Sequence, residues 1–479
     1  MMRYFVAGSA LNVSYWNDRA TLRARVPGSV PAIAAPFAGS YAVVFSCHID
    51  WETFFTSHRY HAGIKVMPIM KKSPLSLRAH QGASLLFLAI SGTAAQAASL
   101  PEWTLGGFGT AGLVHSSERQ ADYSANVINR GGAGRTDRWS GSVDSRLGAQ
   151  LGVEFTPRWS AVLQVIAEHN LQNSWLPVVE WANLKYQATP ELSLRLGRIA
   201  LPIYLAGDYR KPGYALEWVR PPVEVYGSLP VSNSDGVDAS YRWQAGATNN
   251  LTQVFYGHTS IETDDGGKRA RGRQLAGLSN TTTYGALTIR ASALTAELTV
   301  DLVRPLFDAF RQYGLRGGQI ADRYDADHKR VAIANLGVSY DTGDWFLQAE
   351  GSRLNTRSFL GDKSSMYLGG GYRLGAWTPY ATYAKVKANV PNRDAGIDSA
   401  QPGAAYLNGQ LNALLQRISS QHTISTGVRW DFLPDRAVKL QYDRLRPTGA
   451  SSGTLVNVQP GFRTAHPIHV VSIALDFVF

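Results

Sequence analysis

Residues 145–169 show the pattern that runs through most of this chain. Leu147, Ala149, Leu151, Val153 and Phe155 occupy every second position, and Arg146, Gly148, Gln150, Gly152 and Glu154 fill the gaps. Thr156-Pro157-Arg158 turns the chain. Trp159, Ala161, Leu163, Val165 and Ala167 then resume the apolar face, opposite Gln164 and Glu168. A period of two with one apolar face predicts a half-exposed β-strand, and two such runs across a tight turn predict a hairpin.

The pattern recurs. Ala182, Leu184 and Tyr186 alternate with Lys185 and Gln187, and Thr189-Pro190-Glu191 turns into Leu192, Leu194 and Leu196. Val237, Ala239, Tyr241 and Trp243 oppose Asp238, Ser240 and Arg242. Around Asp341-Thr342-Gly343-Asp344 and Leu433-Pro434-Asp435 the same alternation resumes. At the end of the chain Val471, Ile473, Leu475, Phe477 and Phe479 again fall on every second position. Strands are expected near 103–114, 145–155, 159–169, 178–188, 191–199, 236–243, 251–259, 282–291, 293–302, 330–340, 345–353, 365–374, 377–387, 421–432, 437–445 and 468–479, about sixteen in all.

The connections alternate between short turns and long polar loops, and aromatics gather beside the short turns: Phe155 and Trp159, Trp243, Tyr340 and Trp345, Trp377, Trp430 and Phe432. Amphipathic rings collect where one edge is wet and the other dry. A soluble sandwich gives no reason for that placement. The fold expected is all-β: a transmembrane antiparallel barrel of about 16 strands, with short periplasmic turns and long extracellular loops.

The start of the chain adds a targeting signal. Lys71, Lys72 and Arg78 make a basic region, 82–92 (GASLLFLAISG) a short apolar one, and Ala95-Gln96-Ala97 an A-x-A cleavage site. The apolar run falls short of the roughly 20 residues of a transmembrane helix. Residues 70–97 therefore read as a signal peptide, 1–69 as a non-native leader from a misassigned start, and 98–479 as the barrel. Formal net charge is +11, but 1–97 holds nine Lys/Arg against three Asp/Glu, so 98–479 keeps 38 against 33. A net +5 over that length argues against nucleic acid as a partner. The single cysteine, Cys47, also precedes residue 98, so disulfide and thiol chemistry are excluded there.

In its signal, hairpin grammar, cysteine-free barrel region and terminal phenylalanine, the chain resembles the sixteen-stranded porins of Gram-negative outer membranes. The stretch Trp377-Thr378-Pro379-Tyr380-Ala381-Thr382-Tyr383-Ala384-Lys385 is porin-like too. The resemblance implies a water-filled channel for passive diffusion of small polar solutes in the outer membrane. It also implies a homotrimer, contact with outer-membrane lipid and lipopolysaccharide, and Phe477 and Phe479 as a signal read by the barrel-assembly machinery. No cofactor and no enzymatic activity are implied.

By position, the family's constriction loop falls near 200–235, a segment dense in Pro and aromatics that carries Asp208, Arg210, Lys211, Glu217, Arg220 and Glu224. Folded inward, it would set a field across a narrow pore; folded outward, its charges would simply be solvated. On the wall, Arg146, Lys185, Arg195, Arg242, Lys385, Lys387, Arg429 and Lys439 are expected to face the lumen with Glu154, Glu168, Asp238, Glu350 and Asp431, and Arg198 to sit at the mouth. Basic residues outnumber acidic ones, which predicts a weak anion preference or a site for a carboxylate- or phosphate-bearing solute; paired across strands, the same charges would merely keep the lumen wet. A channel selective for one solute remains the alternative, with a barrel enzyme behind it.

Other motifs carry no chemistry. Gly107-Phe108-Gly109-Thr110-Ala111-Gly112 matches a dinucleotide fingerprint but lacks the helix that should follow. His466 and His469 flank Pro467 with no further ligand nearby in sequence, so no metal site is expected.

Overall fold

The computed structural model describes residues 101–262 and 269–479. The leader and signal peptide read from the sequence lie outside the described residues.

Sixteen long strands form the wall. They are β1 Glu102–Ser116, β2 Arg146–Thr156, β3 Trp159–Glu168, β4 Val178–Gln187 and β5 Leu192–Ala200. Then come β6 Asn233–Ala245, β7 Thr248–Glu262, β8 Arg269–Tyr284, β9 Leu287–Val300, β10 Lys329–Asp341 and β11 Trp345–Asn355. The last five are β12 Lys363–Tyr372, β13 Trp377–Ala388, β14 Gln421–Leu433, β15 Arg436–Pro447 and β16 Ile468–Val478. Each pairs antiparallel with the next, and β1 pairs with both β2 and β16. Closure leaves no unpaired edge, as crossing hydrocarbon requires. The dipeptide Trp139–Ser140 adds a short flap against Val114 and His115.

Burial is inverted relative to a soluble protein. Leu105, Leu147, Leu163, Leu196, Val237, Leu278, Leu336, Leu368, Leu440 and Ile473 are exposed on the outer face, Leu105 by 79%. Gln164, Ser193, Gln253, Ser279, Arg290, Asn335, Lys439, Gln441 and Ser472 are buried inside. Such a surface is stable only in lipid.

The seam is closed at the chain terminus. Gly107 and Phe479 exchange backbone hydrogen bonds of 2.9 and 3.0 Å. The Phe479 and Phe477 rings lie over Gly107 and Gly109, where an added Cβ would come within 2.4 and 2.3 Å of ring carbons. The glycine run of β1 thus serves strand packing and not a nucleotide.

One hairpin differs from the sequence expectation. The strands expected at 282–291 and 293–302 are β8 and β9, which meet at Tyr284-Gly285-Ala286-Leu287, with Gly285 at φ +54. The polar composition of 269–283 and a register irregularity between Arg273 and Ala276 obscure the alternation of β8.

Three hydrophobic clusters lie off the outer face. The largest joins segment 201–232, through Leu201, Ile203, Tyr204, Leu216, Trp218 and Tyr226, to Phe255, Phe346, Tyr367 and Tyr380 on the inner wall. A second packs three loop helices together: Arg304–Arg311, Gly314–Tyr324 and Ala404–Leu415. The third joins 117–145 and 448–467 to Val223.

Candidate functional site

Segment 201–232 connects β5 to β6 and lies against the inner wall, held almost throughout by wall side chains. Ser292 Oγ and Asn335 Nδ2 donate to Ile203 O at 2.5 and 3.1 Å. Arg290, 1% exposed, donates to Tyr204 O at 2.7 Å and pairs with Asp208 at 3.2 Å. Leu205 N–H donates to Glu350 at 2.6 Å. Farther round, Lys439 donates to Gly213 O and Leu216 O at 2.7 and 2.6 Å, and Arg429 donates to Tyr214 O and Leu216 O, both at 2.8 Å. Arg373 pairs with Glu217 at 2.6 Å.

Arg220 carries the densest set of contacts. Its Nε and Nη2 bind Asp144 at 2.8 and 2.6 Å, Nη1 reaches Tyr123 at 3.1 Å and Asp443 at 3.2 Å, and Nη2 also meets Ser472 at 2.5 Å. All five guanidinium donors are thereby placed. A cavity of about 20 Å³, lined by Tyr123, Trp218, Arg220, Glu224, Thr423 and Gln441 among others, lies beside it, with room for about one water.

Glu224, in the one-turn helix Val223–Tyr226, accepts hydrogen bonds from Thr423 and from Gln421 Nε2, the latter at 2.7 Å. Burial pushes its carboxyl above the usual carboxylate range, against the pull of those two bonds. Burial likewise pushes the Tyr209 hydroxyl up to about 12. A raised carboxyl pKa favours the protonated acid in the docked loop, so docking should strengthen as pH falls toward about 4 and weaken as pH rises through the shifted pKa. Limited proteolysis of the segment between pH 4 and 7 should show this trend, and Glu224→Gln should flatten it. An equal slope in the variant would remove Glu224 as its source.

The other residues singled out from sequence divide between two faces. Arg146 reaches Lys211 O at 3.4 Å inside the barrel, and Lys211 pairs with Glu168. Arg195 and Asp238 form a buried inward pair, and Lys185 stands opposite Arg195 in the same ladder. Arg242 lies two positions farther along the inner row of Asp238 and Ser240. Arg210 donates to Leu229 O at 3.5 Å within the segment.

Three placements are corrected. Arg198 lies opposite Ala182 and Asp235, in the outward row of Leu194, Leu196 and Val237, and pairs with Asp235 at 2.7 Å. Lys385 lies opposite the exposed Met366, in the row of Trp377 and Tyr383, and is itself exposed; Lys387 follows it outward. Directly opposed residues share a face of a sheet, so none of these three lines the lumen.

Sequence reasoning also missed anchors. Arg290, Arg373, Asp144, Asp443 and Asp476 were not singled out. Arg290 alternates with Ile289 and Ala291 and was legible in principle once the turn at Gly285 was placed. Among the described residues no cluster of three or more His, Cys, Asp or Glu is arranged to hold a metal. His466 pairs with Glu118 at 2.8 Å, and His469 is hydrogen-bonded to Tyr442 at 2.6 Å. His169 contacts Asn173 at 2.9 Å.

No protein-family model matches the chain, and no curated protein does. Among solved structures it is similar to the outer membrane channel DcaP of Acinetobacter baumannii, at 12% identity over 79% of this chain and 98% of that one, with a TM-score of 0.48. It is similar to an anion-selective porin from Comamonas acidovorans, at 14% identity over 79% and 100%, with a TM-score of 0.46. It is also similar to a trimer form of OmpT, an outer membrane protein of Vibrio cholerae, at 14% identity over 80% and 100%, with a TM-score of 0.44. With its wall closed on sixteen strands, short turns at one end and long loops at the other, the chain has a porin-type β-barrel fold.

Proposed function

We propose that the barrel is an outer-membrane channel through which small polar solutes diffuse passively, with a weak preference for anions. Segment 201–232 serves as its constriction. The observation that carries the preference is the state of the inner face of β4–β6. Lys185 and Arg242 point inward there, and among the described residues no ion pair joins either to an acid. Lys185 senses Arg242 and Arg195 on one side, Glu154 and Asp238 on the other. The charges of the loop, by contrast, are largely spent on anchoring: Asp208 on Arg290, Glu217 on Arg373, Arg220 on Asp144 and Asp443, Lys211 on Glu168. Strands eight apart stand across a sixteen-stranded barrel, so this basic strip faces the β12–β14 side. Positive charge left in a confined aqueous path concentrates anions.

Reversal potentials in planar bilayers under a salt gradient test the reading. The wild type should favour chloride over potassium, and Lys185→Glu with Arg242→Glu should turn the preference toward the cation. A wild-type channel that prefers potassium refutes the anion assignment, and refolded protein that leaves the bilayer sealed refutes the channel.

A second reading, a channel selective for one solute, is favoured by the first and last loops. Asp122 exchanges backbone hydrogen bonds with Val456 at 2.9 and 3.0 Å, and an added Cβ on Gly227 would come within 2.9 Å of Val127, so these loops descend onto the segment and narrow the approach. Small conductance steps blocked by a single solute would select this reading, and large ohmic steps the first. The proposal includes a homotrimer, tested by the mass of the protein in detergent. It includes insertion by the barrel-assembly machinery, supported by the exposed Phe479 that closes the seam. It assigns no catalytic step to the chain.

A further inference from the structure

The anchors of the inward segment stand at different depths. Arg220 binds Asp443 on β15, and Glu224 binds Gln421 and Thr423 at the long-loop end of β14. Between Asp208, held by Arg290, and Arg220 the chain dips toward the short turns. Asp443 lies eight residues above the turn residue Asp435, roughly 26 Å along the strand, or about 20 Å of height at a tilt near 40°. The carbonyls of Gly213 and Leu216 meet Lys439, only four residues above that turn. Two side chains reach lower still. Tyr214 brings its hydroxyl within hydrogen-bond reach of the Asp435 backbone. Glu217 meets Arg373, which belongs to the turn between β12 and β13.

Arg373 is fixed to two turns at once. Its backbone N–H donates to Asp344 O at 2.7 Å, its Nη1 to Asp341 at 2.7 Å and Gly343 O at 3.2 Å, and its Nη2 to Asp341 at 2.9 Å, all around the turn between β10 and β11. The guanidinium lies 5.0 Å from the Phe346 ring centroid. From this post its Nη2 donates to Glu217 at 2.6 Å. Arg429 stands 4.0 Å from Glu217 on the other side and is itself tied to Asp431 at 2.8 Å. The tip of the segment is therefore held in two ways. Lys439 and Arg429, both buried, grip its carbonyls from the wall. Glu217 and Arg373 are 21% and 25% exposed, and Ala215 beside them is exposed. Salt screens a half-exposed ion pair far more than a buried one.

We propose that residues 212–217 form a gate facing the periplasm, clasped by Glu217 to Arg373 and loosened when salt on that side screens the pair. The buried donors keep the gate in place on the wall. The clasp sets how far its exposed edge stands out into the lumen. A solute that enters through the long loops meets this edge last, just before the short turns. The gate rests on the channel reading above; the place of the tip does not.

Residues 98–479 hold no cysteine, so single cysteines report position cleanly. In intact cells an impermeant maleimide dye wider than the passage should label Tyr406→Cys, at a loop-helix residue that is 70% exposed, and spare Ala215→Cys. In sheared outer-membrane fragments, open to the dye from both faces, Ala215→Cys should label too, with Pro212→Cys as a second reporter. Labelling of the tip in intact cells, or its protection in the fragments, would overturn its placement. In planar bilayers Glu217→Gln should raise the frequency of brief openings by roughly fivefold, as loss of a half-exposed ion pair does. High salt on the short-turn side alone should do the same to the wild type and little to the variant. Arg373→Gln should add nothing to Glu217→Gln. Salt acting equally from either side, an unaltered Glu217→Gln record, or additive effects would overturn the clasp. A wild type without current refutes the channel, and the gate with it, even where the tip labels from the periplasm.

Discussion

Arg220→Ala should release the inward segment from two walls at once. The side chain joins Asp144 and Tyr123 of the first long loop to Asp443 and Ser472 of the wall, and its charged atoms are buried together with both carboxylates. Its removal leaves two buried acids without a cation, a defect that costs on the order of 3–5 kcal/mol where buried pairs are broken one-sidedly. The wall itself stays closed, because its strand ladders do not pass through Arg220. The expected result is therefore local. Single-channel records should become noisier with larger steps, the segment should become sensitive to protease, and the heat needed to shift the barrel's electrophoretic migration should fall only moderately. Arg220→Lys should recover part of the effect. It keeps the charge but cannot place five donors in a planar fork. A quiet alanine variant of wild-type conductance would show that Arg220 does not hold the constriction.

The strand plan was legible because the outer face of the barrel meets hydrocarbon along most of its height, so the period of two survives wherever the inner face is wet. Leu147 to Phe155 and Val471 to Phe477 read correctly for that reason. The rule inverts toward the long-loop ends. Inside, Tyr380 and Ala384 belong to the cluster built around Trp218 and Tyr204, and Val386 is buried with them, so the inner face of β13 is apolar there. Outside, at headgroup level, Lys385 and Lys387 are the favourable residues. Polarity alone then assigns both lysines to the wrong face; only the register with Met366 and His422 corrects it. Arg198 fails in the same way at the upper end of β5, beside Ile199, which is wholly buried. The location of the inward segment was suggested by its length and its Pro and aromatic content, but its anchors were not. Arg429 and Lys439 are satisfied by backbone carbonyls more than 200 residues away in sequence, for which no side-chain pattern exists.

Lys439 supplies the other large effect, and its energetics can be separated from packing. The ammonium is fully buried, donates to carbonyls of Gly213 and Leu216, and pairs with Asp476 at 2.9 Å. Asp476 in turn accepts from Thr110 Oγ1 at 2.5 Å, and the loop passes so close that a Cβ on Gly213 would lie 2.2 Å from its Oδ1. Lys439→Met keeps much of the volume but leaves the buried Asp476 carboxylate without its cation, with Thr110 as its remaining side-chain donor, so thermal unfolding in detergent should show a loss on the order of 3–5 kcal/mol. Adding Asp476→Leu removes the orphaned charge, and the double variant should regain much of that loss. Its loop should still stay looser, since Gly213 O and Leu216 O lose the Lys439 ammonium and only Arg429 still ties Leu216 O to the wall. Stability and loop order then part company: the wall recovers while channel noise and protease sensitivity persist. A double variant no more stable than Lys439→Met would place the cost in the lost carbonyl contacts instead, and a fully stable single variant would mean that the buried pair holds neither wall nor loop.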